Sequence, residues 1–87
     1  MTVSYKLLFL KSFDKDIRKL NHSLIPHIIE KTLSLENNPR PQQSKKMRGA
    51  DNEYRLRIGD YRVFYTIDDT KKEITICHVT HRREAYR

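Results

Sequence analysis

From residue 52 onward the sequence alternates. Arg55 and Arg57 separate Tyr54, Leu56 and Ile58, and Arg62, Phe64 and Thr66 separate Tyr61, Val63, Tyr65 and Ile67. A period of two puts the apolar residues on one face of a strand and the intervening residues on the other. Between the two runs, Gly59-Asp60 has the length and composition of a two-residue hairpin turn. Such a turn fixes the register, with Ile58 opposite Tyr61, Arg57 opposite Arg62 and Leu56 opposite Val63. One face is then apolar, and the other gathers Arg55, Arg57 and Arg62. A chain carrying this segment has to build an antiparallel sheet and find a cover for its apolar face.

The rest of the chain supplies that cover. Val3 to Leu10 is β-rich and reads as a first strand. Ser12 is placed to cap a helix with Asp14 and Asp16 in its first turn, and Phe13, Ile17 and Leu20 follow at helical spacing. After a break at Asn21–Ser23, a second helix holds Pro26 in its first turn. Its apolar stripe is Leu24, Ile25, Ile28, Ile29, Thr32, Leu33 and Leu35, and Asn37-Asn38-Pro39 ends it. Residues 39–50 read as an exposed loop. Asp68 to Lys71 makes a four-residue turn into a last strand that contains Ile74 and Ile76 and runs to about Thr80. That loop pairs Tyr65 with Ile74 and Val63 with Ile76, sets Cys77 opposite Arg62 and leaves His81 near the Arg face. Cys77 reads as a small buried filler and His78 as a surface strand residue. The order is βααβββ. This is an α+β fold with an N-terminal strand, a helical hairpin and a three-stranded antiparallel meander, and 87 residues make it one domain over 1–87.

Charge then narrows the function. The chain has 18 Lys and Arg against 11 Asp and Glu, a net charge of +7. Residues 39–62 hold seven basic residues against three acidic, and residues 81–87 hold three against one; in these two blocks Arg outnumbers Lys eight to two. Arg is the planar, bidentate phosphate binder. Like charges set opposite each other across a hairpin oppose folding, so Arg57 facing Arg62 points to an anionic partner. A helix-turn-helix reading of the two helices fails because the second helix has too little basic, polar surface to read base edges. No apolar run is long enough to span a membrane, and Leu7-Leu8-Phe9-Leu10 is too short for a signal peptide and is closed by Lys11. The single cysteine, Cys77, cannot form an internal disulfide, and no Cys/His cluster has zinc spacing, so neither metal nor membrane is expected and the setting is a reducing cytoplasm.

Three segments together resemble a known family. The loop Lys46-Met47-Arg48-Gly49, the string Tyr54-Arg55-Leu56-Arg57-Ile58-Gly59-Asp60-Tyr61-Arg62-Val63-Phe64-Tyr65 and the ending His81-Arg82-Arg83-Glu84-Ala85-Tyr86-Arg87 look like the RelE/ParE superfamily of toxins from type II toxin–antitoxin systems, and most like its RelE branch. The resemblance covers essentially the whole chain. It implies a ribosome-dependent endoribonuclease, an mRNA interferase that cleaves mRNA in the ribosomal A site and inhibits translation. It also implies a cognate antitoxin that wraps and neutralises the toxin, with operator DNA reached only through the antitoxin complex. The implied chemistry is attack of a ribose 2′-hydroxyl on the adjacent phosphate, without metal or other cofactor. The ParE branch implies instead an inhibitor of DNA gyrase, and a non-catalytic RNA-binding module is a third possibility.

Carried over by position, Arg55 and Arg57 match a basic pair on one strand and Arg62 a phosphate-contacting Arg on the next. Arg82 and Tyr86 match a C-terminal Arg and Tyr. The best-known RelE-type arrangement has Lys where this chain has Arg55 and Arg57, and one of those Lys is a candidate base. Arg stays protonated and can orient or stabilise but not accept a proton. Histidine titrates near neutrality, so His81 ranks first as base, with Glu53 and Tyr86 as alternatives. Arg62 and Arg82 are assigned to the transition state. Lys45, Lys46 and Arg48, outside this cluster, are assigned to RNA phosphates or to the acidic side of an antitoxin.

Overall fold

The Gly59-Asp60 turn forms in the expected register. Ile58 pairs with Tyr61, Arg57 with Arg62 and Leu56 with Val63. Gly59 has φ +58°, whereas Asp60 stays at negative φ. That is the pattern of a type II′ turn, which wants glycine at its first central position.

The structure is a computed structural model that describes residues 4–49 and 52–85. Its elements are β1 (Lys6–Phe9), α1 (Lys11–Arg18), α2 (Ile25–Leu33), β2 (Ser44–Lys46), β3 (Glu53–Ile58), β4 (Tyr61–Asp68), β5 (Glu73–His81) and a short α3 (Arg82–Ala85), with a 3-10 turn at Ser34–Glu36 after α2. The sheet order is β1-β5-β4-β3-β2. The expected α+β architecture holds, with a helical pair and a β3-β4-β5 meander. Two features change the sheet. The first strand is shorter than Val3–Leu10 and pairs parallel to β5, so the sheet is mixed; Val3 lies outside the described residues. The expected loop 39–50 contains an additional strand, β2, antiparallel to β3 with Lys45 opposite Arg55.

The β4–β5 register also differs from expectation. Asp68 pairs with Glu73, Ile67 with Ile74 and Tyr65 with Ile76, and a bulge then leaves Cys77 unpaired before Phe64 meets His78 and Arg62 meets Thr80. The turn is therefore residues 69–72, one step later than Asp68 to Lys71, with Lys72 at φ +56°. A bulge inserts one residue in one strand and shifts everything beyond it. The later turn already takes Cys77 off Arg62, and the bulge moves the partner of Arg62 one residue further, to Thr80.

β1 covers only Lys6–Phe9, so β5 beyond Ile76 would be a bare edge. Helix α1 fills it. The Ser12 hydroxyl donates to the Cys77 carbonyl (2.7 Å), and the Asp16 carboxylate accepts from the Val79 N–H (3.2 Å) and lies 2.9 Å from His78 Nδ1. This is why Ser12 is not the helix cap. The N-cap is Leu10, without a side-chain bond, and the Ser12 hydroxyl is spent on β5.

Phe13, Ile17, Ile28 and Leu35 from the helical layer close on Leu56, Ile58, Val63, Tyr65, Ile67, Ile74, Ile76 and Val79 of the sheet. Thr32 is fully buried, and its hydroxyl is satisfied by donating to the Ile28 carbonyl at 2.7 Å. The segment between α2 and β2 is fastened below this core. Arg40 Nη2 meets Asp69 at 2.7 Å, Arg40 Nε donates to the Tyr54 hydroxyl at 2.9 Å, and the Tyr5 hydroxyl donates to Asp69 at 2.7 Å. The Tyr65 hydroxyl donates to the Pro39 carbonyl at 2.8 Å.

Candidate functional site

The open face of the sheet, opposite the core, carries a cavity of about 220 Å3 lined by Gln42, Gln43, Lys45, Arg55, Arg57 and Arg62. Its geometry follows from register. Lys45 stands opposite Arg55 and Arg57 opposite Arg62, so two like-charge pairs sit side by side on three neighbouring strands. Directly opposed side chains are about 5 Å apart at Cβ, where like charges repel. Four cations converge on one small concavity.

Arg62 is the anchored member. It is 8% exposed, and its Nη1 donates to the Gly59 carbonyl (3.0 Å) and the Tyr61 carbonyl (2.9 Å). The guanidinium has five N–H donors, so this leaves the Nε–Nη2 edge, the one that forks onto two oxygens of an anion. The same turn holds Arg82. Its backbone N–H donates to the Asp60 carbonyl (2.6 Å), and its Nε lies 3.9 Å from the Asp60 carboxylate. One turn thus indexes both arginines.

The sequence-derived site divides. Arg55, Arg57 and Arg62 come together as expected. Lys45 joins them, against the expectation that it lies apart, because β2 pairs with β3. Lys46 is opposite Tyr54 and so belongs to the other face, and Arg48 is exposed in the turn after β2. Neither lines the cavity. His81 pairs with Tyr61, with the rings edge-on at 5.4 Å, and two residues after buried Val79 it belongs to the side the helices pack against. The expected proximity to the Arg face, which supported His81 as base, is therefore corrected; the bulge at Cys77 is the cause. Glu53 is on the open face, opposite Thr66, but it lines a neighbouring depression. Tyr86 lies outside the described residues. Sequence reasoning missed Gln42 and Gln43. Only the β2 pairing brings them in, and a three-residue polar edge strand shows no apolar alternation. Cys77 is a poor nucleophile, since burial, and secondly the charge of Glu53, push its thiol pKa up.

A sequence profile described as the ParE toxin of the type II toxin–antitoxin system parDE matches residues 7–86. The chain belongs to this toxin family. The toxin is 33% identical over 76 residues to a Methanocaldococcus jannaschii protein that carries the name toxin RelE1, which is 84% of each sequence. Among solved structures, its fold matches the RelBE2 toxin–antitoxin complex of Mycobacterium tuberculosis with a TM-score of 0.82 at 27% identity, over 94% of this chain and 95% of that one. It also matches the archaeal RelE–RelB complex of Pyrococcus horikoshii, with a TM-score of 0.79 at 28% identity over 91% and 96%. The resemblance read from the three sequence segments and the α+β architecture both hold. Among the described residues, no helix of the toxin is long and apolar enough to cross a membrane.

Proposed function

We propose that this toxin is an endoribonuclease that cleaves mRNA presented in the ribosomal A site and that a cognate RelB-type antitoxin silences it. The observation that carries this reading is the four-cation cavity of Lys45, Arg55, Arg57 and Arg62. Attack of a 2′-hydroxyl on the adjacent phosphate forms the 2′-O–P bond of a 2′,3′-cyclic phosphate and breaks the P–O5′ bond; the 2′-hydroxyl loses its proton and the departing oxygen takes one up, leaving a 5′-hydroxyl. Negative charge on the phosphorus group rises in the transition state. Cations fixed before the reaction stabilise that charge best, because they need no reorganisation. Arg62, already bonded to the turn carbonyls, supplies its free edge to the phosphate. Arg55, Arg57 and Lys45 close round the remaining oxygens, and Arg82 stands at the same turn. Repulsion within the cavity is relieved when an anion enters.

A shallow cavity on a small domain positions a phosphate but grips little RNA, so the ribosome presents the substrate and the site of action is the cytoplasm. Relatives of this chain were solved as RelE–RelB and RelBE complexes. A cognate antitoxin here covers the basic face with acidic groups, and operator DNA is reached through that complex.

The test is mRNA integrity on programmed ribosomes. Cutting at a defined codon position, lost in Arg62→Ala and Arg82→Ala, is the expected result. Intact mRNA with inhibited DNA supercoiling by gyrase replaces this reading with the ParE-type one, which the name of the matching family profile favours. Ribosome binding without cleavage makes the chain a non-catalytic RNA-binding module.

A further inference from the structure

Beside the cationic cavity lies a second depression of about 210 Å3, lined by Met47, Glu53, Phe64, Thr66, Cys77 and His78 together with Tyr65. We infer that this depression is a nucleobase subsite, which takes the base next to the phosphate held in the cavity and favours guanine. The inference rests on the reading of the cavity as a phosphate site.

Continuity is the first support. Phe64 stands directly opposite Arg55, and on its own strand it follows Arg62 by two positions, on the same face. Neighbouring strands are about 4.8 Å apart, so the Phe64 ring lies one strand step from the phosphate site. A nucleotide spans such a step from phosphate to base. The second support is the character of the floor. Phe64, Met47, Thr66 and Cys77 are all half-buried, and an open sheet face with an aromatic ring is the platform on which single-stranded RNA stacks. Burial keeps the Cys77 thiol protonated, so the floor carries no charge there.

The rim gives the preference. His78 stands opposite Phe64, and its Nδ1 is 2.9 Å from the Asp16 carboxylate. The Asp16 contact fixes the ring's orientation at the edge of the depression. Glu53 adds a carboxylate, which accepts only. A carboxylate on the rim selects a base edge rich in donors. Guanine offers N1–H and N2–H side by side, which one carboxylate can accept together, whereas uracil offers a single N3–H. The polar positions of this face thus have separate tasks: Arg55, Arg57 and Arg62 for the phosphate, Glu53 for the base.

The test uses the isotopically labelled toxin and three probes: guanosine 3′-monophosphate, uridine 3′-monophosphate and ribose 5-phosphate. Ribose 5-phosphate is expected to shift only NMR signals near Arg55, Arg57 and Arg62, and the nucleotides to shift Phe64, Thr66 and Cys77 as well. Phe64→Ala is expected to weaken guanosine monophosphate about tenfold or more without changing ribose phosphate affinity, with Phe64→Leu as the variant of choice if the alanine protein does not fold. Glu53→Gln is expected to erase the guanine-over-uracil preference. If nucleotides and ribose phosphate shift the same signals and the Phe64 variants bind alike, the subsite is overturned and the phosphate cavity stands. If no probe shifts the cavity signals, the phosphate reading falls and the subsite with it. Filling of the depression by an antitoxin peptide and not by nucleotides also overturns it.

Discussion

The two faces of the β3–β4 hairpin are made of alternate residues on the same two strands, yet they obey opposite rules. On the inner face apolar residues meet apolar residues: Leu56 faces Val63, and Tyr54 faces Tyr65 with the rings stacked at 5.8 Å. On the outer face Arg57 faces Arg62, and Lys45 of β2 faces Arg55. The inner face stabilises the folded chain by burial, and the outer face sets like charges opposite one another, an arrangement that opposes folding. Stability and chemistry are therefore separable one residue at a time, with Arg62 the place where they touch.

Four experiments test that contrast. The largest effect is expected inside. Ile76 is fully buried, and Ile76→Ala should lower unfolding stability by about 2–5 kcal/mol in denaturant titrations. Next comes Arg62→Ala, which should slow mRNA cleavage on ribosomes by about 10²–10³-fold. Its stability should fall by no more than about 2–3 kcal/mol, the net worth of two turn hydrogen bonds. Arg62→Lys should recover only part of the rate, because an ammonium cannot fork onto two oxygens. If Arg62→Ala simply unfolds the chain, the separation of faces fails there.

The third experiment is alkaline. Burial raises the Tyr65 pKa from 10.0 to about 12. A group whose folded pKa is raised contributes fully below its unfolded pKa, so this contribution is intact below pH 10 and is lost as pH climbs to about 12. Wild type should lose roughly 2–3 kcal/mol more than Tyr65→Phe over that interval, measured as paired unfolding curves. The smallest effect is acidic. Hydrogen bonds from Arg40 and then Tyr5 hold the exposed Asp69 carboxylate below its ordinary 3.8. Its contribution is present above that value and disappears as pH falls through the depressed one. Asp69→Asn should therefore flatten the acid limb slightly and leave neutral-pH cleavage unchanged.

How much of this was legible in the sequence depended on whether a residue's place was set locally. Gly59-Asp60 set the hairpin register, and with it the grouping of Arg55, Arg57 and Arg62. The stripes Phe13–Ile17 and Ile28–Thr32–Leu35 also found the core. What escaped had no local signature. Ser44-Lys45-Lys46 is a strand only because the β3 edge accepts it, so Lys45, Gln42 and Gln43 were not tied to the site. The bulge at Cys77 has no marker such as glycine or proline, and it moved His81 away from the face where alternation had set it. Ser12 carries a capping residue's chemistry, but a vacant β5 carbonyl outcompeted its own helix.

The parallel pairing of β1 with β5 has a consequence in time. In the sheet, residues 6–9 pair with residues 73–76, which are made after every other strand. Contacts this distant in sequence form late and slowly. During synthesis the first strand waits for the fifth, and α1 has no edge to seal until Cys77 and Val79 appear. The chain gains its finished sheet only once β5 is free to join.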